Sequence, residues 1–188
     1  MGVDISGIHP KMKSPIPEGD WAVMNDTERQ EYFLISDAWE AENPGYYFGC
    51  NWWGWRPIII LCNTAIENAG LTFNTDSWHH NDGGGLKNQF DCDLLASALD
   101  YIIGQEENLI EDDDIVYVNC GGWRIVGDTI MNDELQQKLN LEYPIGTVMF
   151  TKIVIDDGKL VYPMHSAPLW LINNFIDFLK ECGGFQIY

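Results

Sequence analysis

Two stretches concentrate the residue types that do chemistry. Residues 45–57 read Gly-Tyr-Tyr-Phe-Gly-Cys-Asn-Trp-Trp-Gly-Trp-Arg-Pro, which puts six aromatic rings and one guanidinium into thirteen positions. Arg56 is the only Lys or Arg between Arg29 and Lys87. Rings at this density either fill a core or line a pocket for a flat ligand. For any one of Trp52, Trp53 or Trp55 the core is the better reading. For three within four residues, beside Arg56, a stacking role for one of them is the competing reading. Tyr47 and Asn51 belong to the same candidate pocket.

The second stretch, residues 78–87, runs Trp-His-His-Asn-Asp-Gly-Gly-Gly-Leu-Lys. Glycines let a backbone approach a phosphate, and Lys87 lies nearby, so Asn81, Asp82, Gly83 and Lys87 join the candidate ligand set. The bland reading is a turn built from residues with positive φ. If the protein is an enzyme, His79 and His80 with Asp82 are the candidate acid–base groups of a small hydrolase. As metal ligands they are poorly spaced, because adjacent side chains diverge in a strand and the i, i+4 helical spacing is missing. Cys50, Cys62, Cys92, Cys120 and Cys182 form no CxxC pair. Neither metal nor cofactor is expected. The phosphate-loop, dinucleotide, zinc-protease and nucleophile-elbow signatures are all absent.

The chemistry sits in an acidic chain of 188 residues, with 10 basic against 29 acidic side chains and a formal charge of −19. That surface repels nucleic acid and anionic membrane and favours basic partners. The odd cysteine count and the lack of a long apolar run point to free thiols in a reducing, cytoplasmic compartment. The first six residues satisfy the short myristoylation pattern, but no polybasic segment supplies a second membrane signal.

The elements that must hold these stretches are read from periodicity. Residues 3–8 alternate as a strand, and Pro10, Pro15 and Pro17 make residues 10–19 a loop. Residues 21–24 read as a short strand or an anchored turn. Asp26 is expected to cap a helix from Thr27 whose apolar face is Phe33, Leu34, Ala38 and Trp39. Pro57 is expected in the first turn of a largely buried helix through Ala69, with Ile60 at its centre. That placement puts the aromatic stretch and Arg56 at a helix N-terminus, where amide groups favour an anion. Asp91 or Asp93 caps a third helix with Leu94, Ala98 and Ile102, flanked by Leu95, Leu99 and Ile103, as its face, ended by Gly104. Six acids in residues 106–114 read as an exposed loop. A strand is expected at 115–119, a short helix at 132–140, and a hairpin of 147–155 with 159–162. Ser166 caps a last helix with Pro168 in its first turn and Leu169, Ile172, Phe175, Ile176 and Leu179 as its face, ended by Gly183, and residues 185–188 close as a strand. The sum is α+β, one globular domain over 1–188, with three to four helices on a small, mostly antiparallel sheet.

Residues 1–10, Met-Gly-Val-Asp-Ile-Ser-Gly-Ile-His-Pro, resemble the opening of a family of small uncharacterised proteins of bacteriophages and bacteria. Its aromatic segment ending in Trp and Arg-Pro is matched by Tyr47, Phe48 and residues 51–57. Its Asn-Asp-Gly-x-Gly-Leu is matched by residues 81–86, and its terminal Cys-Gly-Gly-Phe by residues 182–185. Residues 12–44 look like an insertion relative to shorter members. An Arg often present after the Tyr-Phe pair is Gly49 here. Of the cysteine pairs some members carry in the second half, only Cys120 is present. The resemblance implies a phage-type accessory protein of the host cytoplasm and transfers no catalytic residue.

Three functions stand as expectations. The first is a binding module that holds a small, nucleotide-like ligand in a Trp/Arg pocket and sequesters a host defence signal. The second is an acidic inhibitor that mimics nucleic acid towards a basic host protein. The third is the His/Asp hydrolase. Homo-oligomerisation is compatible with all three.

Overall fold

In a computed structural model, the structure describes residues 2–112, 114–121, 123–127, 154–155, 159–163 and 165–188. The fold is α+β, with four helices and three three-stranded antiparallel sheets among those residues. The expected helix at 132–140 and the 147–153 and 156–158 parts of the expected hairpin lie outside them.

The first sheet pairs β1 (Gly2–Gly7) with β2 (Tyr47–Asn51) on one side and β9 (Phe185–Ile187) on the other. Alternation in β1 sends Val3 and Ile5 into the core and leaves Gly2 and Asp4 exposed. Ile5 stands opposite Phe48 in one neighbour and Ile187 in the other, so three buried side chains line up across the sheet. The second sheet runs β3 (Leu109–Asp112), β4 (Ile115–Asn119), β8 (Ser166–Pro168). The third runs β5 (Trp123–Gly127), β7 (Lys159–Pro163), β6 (Val154–Ile155), and the β6–β7 pairing realises part of the expected hairpin.

Three helices fill the core. They are α2 (Trp52–Asn68), α3 (Gln89–Ile103) and α4 (Leu169–Glu181). Helix α3 packs on both α2 and α4. Its buried residues Leu95, Ala98, Leu99 and Ile102 fall on the expected face, as do Ile172, Phe175, Ile176 and Leu179 of α4. Lys180 closes the last turn of α4 with an ion pair to Asp100 of α3 at 3.0 Å. Gly183 then takes the positive φ that ends the helix.

Several boundaries differ from expectation, each because a better cap or a strand partner stands nearby. Helix α1 (Asp26–Glu42) is capped by Asn25, not Asp26. The Asn25 side chain accepts from the Thr27 and Glu28 amides while Glu28 reaches back to the Asn25 amide. Helix α3 is capped by Asn88, whose Oδ1 takes the Asp91 amide at 3.0 Å. Ser166 and Pro168 do not open α4 but form β8, because their backbone pairs with Tyr117–Asn119. Residues 109–112 are a strand, not a loop, since Ile110 is buried and the edge of β4 needs a partner.

The largest correction concerns α1. Its inward stripe is Arg29, Tyr32, Ser36 and Trp39, facing the 10–24 segment, and of these Trp39 alone is fully buried. Trp39 donates its indole N–H to the Ser14 carbonyl at 3.2 Å, and the buried Asn43 side chain accepts the Lys13 amide at 2.7 Å. Phe33, Leu34 and Ala38, the expected apolar face, are exposed.

Candidate functional site

Helix α2 begins five residues earlier than Pro57 suggests. Asn51 caps it by accepting the Gly54 amide at 2.8 Å, and Pro57 is an interior residue. Pro57 therefore has no N–H to give the Trp53 carbonyl four residues back. The three tryptophans all lie on the first turns of one helix, where successive residues point about 100° apart. That rotation separates their roles. Trp55 is fully buried, stacked on Trp78 with centroids 6.4 Å apart, and donates its indole N–H to the Trp78 carbonyl at 3.0 Å. Phe175 meets Trp55 edge-on at 5.4 Å. Trp52 packs partly buried against the same core. Trp53 is 45% exposed. Ile60 is only partly buried, while Ile58 and Ile59 are the buried centre of the helix.

Trp53 forms one wall of a cleft of about 870 Å³ between β2, the start of α2, β8 and α4. Tyr47 and Asn51 line it with Trp53, in keeping with the aromatic stretch. The structure adds Tyr117 from β4, Trp170, Asn174 and Asp177 from α4, and Glu40 from α1. Trp170 is 58% exposed. Residues 170, 174 and 177 are one helical stripe, opposite the buried face of α4. A tryptophan on the polar side of an amphipathic helix was the signal in the sequence that pointed here.

The electrostatics of the cleft are acidic. Tyr47 donates its phenolic O–H to the Asp4 carboxylate. Burial, that bond and the neighbouring charges of Asp4 and Glu40 push its phenol up to about 12. Burial and Asp4 likewise push the Cys50 thiol up to about 12. Burial, with the charge of Asp37, holds the Glu40 carboxyl above its usual range. Three groups are thus each resisted in gaining negative charge. Among the described residues no Lys or Arg lines the cleft. In its wall Ser166 is buried, and its Oγ has no hydrogen-bond partner among the described residues.

The other expected site residues are elsewhere. Arg56 lies in the second turn of α2, not at the helix mouth, and is exposed outside the cleft. It sits near His165, whose imidazole is lowered by burial and by the Arg56 charge. His79, His80, Asn81, Asp82 and Lys87 are all exposed. No group of three or more His, Cys, Asp or Glu among the described residues could hold a metal ion.

The glycine run makes backbone contacts with the end of the chain. Gly83 donates its amide to the Ile187 carbonyl at 2.8 Å, Ile187 to Gly84 at 2.9 Å, and Phe185 to Leu86 at 2.7 Å. Gly83 and Gly85 have φ of 87° and 147°, as the turn reading requires. The run lies along β9 as a backbone-bonded loop, so its approach is to protein backbone. The cysteines are free, and Cys92 and Cys182 come within 3.6 Å of each other in the core. No helix among the described residues is long and apolar enough to cross a membrane.

Compared with protein families, with curated proteins and with solved structures, the chain matches none.

Proposed function

We propose that the protein is a binding module that captures a flat organic ligand carrying a positive charge. The observation behind this reading is the cleft itself. Its volume falls in the range of small-molecule pockets. It presents Tyr47, Trp53, Tyr117 and Trp170 together with the carboxylates of Glu40 and Asp177, and no basic side chain among its described residues. Rings supply stacking area to any planar ligand, and their faces attract a cation. The carboxylates decide the sign of charge.

A nucleotide, the ligand expected from sequence, is the weaker candidate on the same ground. Its base suits the rings, but its phosphates would meet carboxylates, and Arg56 and Lys87 lie outside the cleft. Sequestering a small signal as a phage-type accessory protein needs only this cleft and no reaction. The hydrolase reading has three solvent-exposed side chains, His79, His80 and Asp82, and none of them lines the cleft.

The test holds ring shape constant and varies charge. Calorimetric titrations would use tryptamine, tryptophol, indole-3-propionate and AMP. Tryptamine is expected to bind tightest, about tenfold over the neutral tryptophol, the ~1.4 kcal/mol of an exposed ion contact and a cation–π contact together. Asp177→Asn should narrow that gap, while Trp170→Ala should weaken both indoles, by roughly 1–3 kcal/mol for a lost stacking ring. Preference for AMP or indole-3-propionate would restore the anion reading. No binding by any of the four would overturn the binding module.

A further inference from the structure

The first half of helix α1 and the turn before it form a second concave surface, which shares no lining residue with the cleft. A groove of about 460 Å³ runs between residues 18–24 and α1. Its lining alternates in chemistry. Val23, Met24, Tyr32 and Ile35 are apolar or aromatic, and Glu18, Asp20, Glu28 and Glu31 are carboxylates. Val23 is 77% exposed and Ile35 57%, and Leu34 beside them 71%. A helix with little tertiary packing gains little stability from it, so apolar residues displayed on α1 need an explanation.

We propose that this groove docks an amphipathic segment of a partner protein that carries lysine or arginine along an apolar face. The acidic rim selects the occupant. The one cation of α1, Arg29, is not in the lining and is engaged by Asp26 at 3.5 Å, the Trp21 carbonyl at 3.3 Å and the Trp21 ring at 5.1 Å. Asp20 and Glu28 each accept one backbone amide and keep a second oxygen, while Glu18 and Glu31 are exposed. A second copy of this chain would bring the same carboxylates and the same charge of −19 against them, a repulsive arrangement. Nucleic acid and anionic lipid fail for the same reason. A basic amphipathic segment satisfies both parts, its apolar residues entering the groove and its cations meeting the rim. This places the acidic-inhibitor expectation on a defined surface, and it does so without nucleic-acid mimicry, because the groove adds an apolar requirement that a charge mimic lacks.

The experiment uses the full chain and designed probes. A fluorescent peptide about 18 residues long, five turns of helix, carries Leu on one face and Lys on the other. One control replaces Lys by Glu, and another replaces Leu by Ser. Anisotropy titrations at about 0.15 M salt suppress long-range attraction. The Leu/Lys peptide is expected to bind best. The double variant Val23→Ser/Ile35→Ser should weaken it about tenfold, as for hot-spot residues. Glu18→Gln/Glu31→Gln should weaken it and lower its salt dependence. All four positions are exposed, so both variants should keep the wild-type melting temperature, and Asp177→Asn in the cleft should leave peptide binding unchanged. Equal binding of the Ser/Lys peptide, or no effect of Val23→Ser/Ile35→Ser, would reduce the attraction to bulk charge and overturn the proposal. So would a dimer, seen by light scattering, that the Val23/Ile35 variant disperses, since the occupant would then be a second copy.

Discussion

Gly85→Ala should be severely destabilising, and the size of the effect comes from two contacts. Gly85 holds φ of 147°, a conformation close to glycine-only, which costs a side-chain-bearing residue about 1–3 kcal/mol. A Cβ there would also stand 2.1 Å from the Phe185 carbonyl oxygen and 2.8 Å from its ring. Phe185 is fully buried and belongs to β9, so neither atom has room to retreat. Relief requires the 83–86 segment to pull away from β9. Doing so breaks at least one of the backbone bonds Phe185 N–H to Leu86 and Ile187 N–H to Gly84, each worth about 1 kcal/mol net. The total is roughly 2–5 kcal/mol, a large share of the ~5–15 kcal/mol that holds a domain together. Urea unfolding followed by tryptophan fluorescence reads this as a lower midpoint with an unchanged slope. Gly70→Ala is the matched control. Gly70 has φ of 65° but nothing within 4 Å of a Cβ, so only the backbone term applies, about 1–2 kcal/mol. If the two variants unfold at the same midpoint, close approach is not why Gly85 is glycine, and the loop's use for a ligand phosphate returns to consideration.

Two further outcomes rest on the electrostatics. Arg56→Gln should leave the melting temperature nearly unchanged, within the ~0.5 kcal/mol usual for surface changes, and raise the His165 pKa. Imidazole titration by NMR checks it. An unmoved His165, or a collapsed fold, would contradict the placement of Arg56. Tyr47 has a folded-state pKa raised from 10.0 to about 12, so the folded state holds its proton more tightly than the unfolded state. Its contribution to stability is complete below pH 10 and is lost as pH rises towards 12. Tyr47→Phe should therefore flatten the alkaline fall in stability over that window, measured as melting temperature against pH. An unchanged slope would mean the Asp4 bond does not hold the phenolic proton.

Much of the framework was legible because it is written in local periodicity. The apolar residues of α3 and α4 recur every three to four positions, β1 alternates, and residues 115–119 and 185–187 are short apolar runs bounded by glycine or polar turns. The starts of α1 and α3 were legible to within a few residues, since Asn25 and Asn88 cap as well as Asp26 and Asp91 would. The candidate stretch at 45–57 was also visible as composition, and Tyr47, Asn51 and Trp53 do share a cleft.

Periodicity could not supply the facing of each side chain. The helix of Trp52, Trp53 and Trp55 starts at Trp52 because Asn51 caps it, and that starting register alone decides that Trp55 enters the core while Trp53 faces the cleft. On α1 the apolar residues Phe33, Leu34 and Ile35 are adjacent in sequence and span more than half the helix circumference. Which side is covered depends on where the 10–24 segment lies, and it lies over Arg29, Tyr32, Ser36 and Trp39. The cleft joins Glu40 and Tyr47 to Tyr117, Trp170 and Asp177 across more than a hundred residues of chain. Local periodicity determined that this protein folds as α+β, composition that it carries a strongly acidic surface, and residue order that 45–57 is rich in rings. The tertiary structure alone decided that Tyr47 and Trp53 stand among carboxylates, that Trp55 enters the core and that Arg56 lies outside the cleft. Charge and shape at a site are sums over elements that meet only in space, and no spacing along the chain encodes which of them will meet.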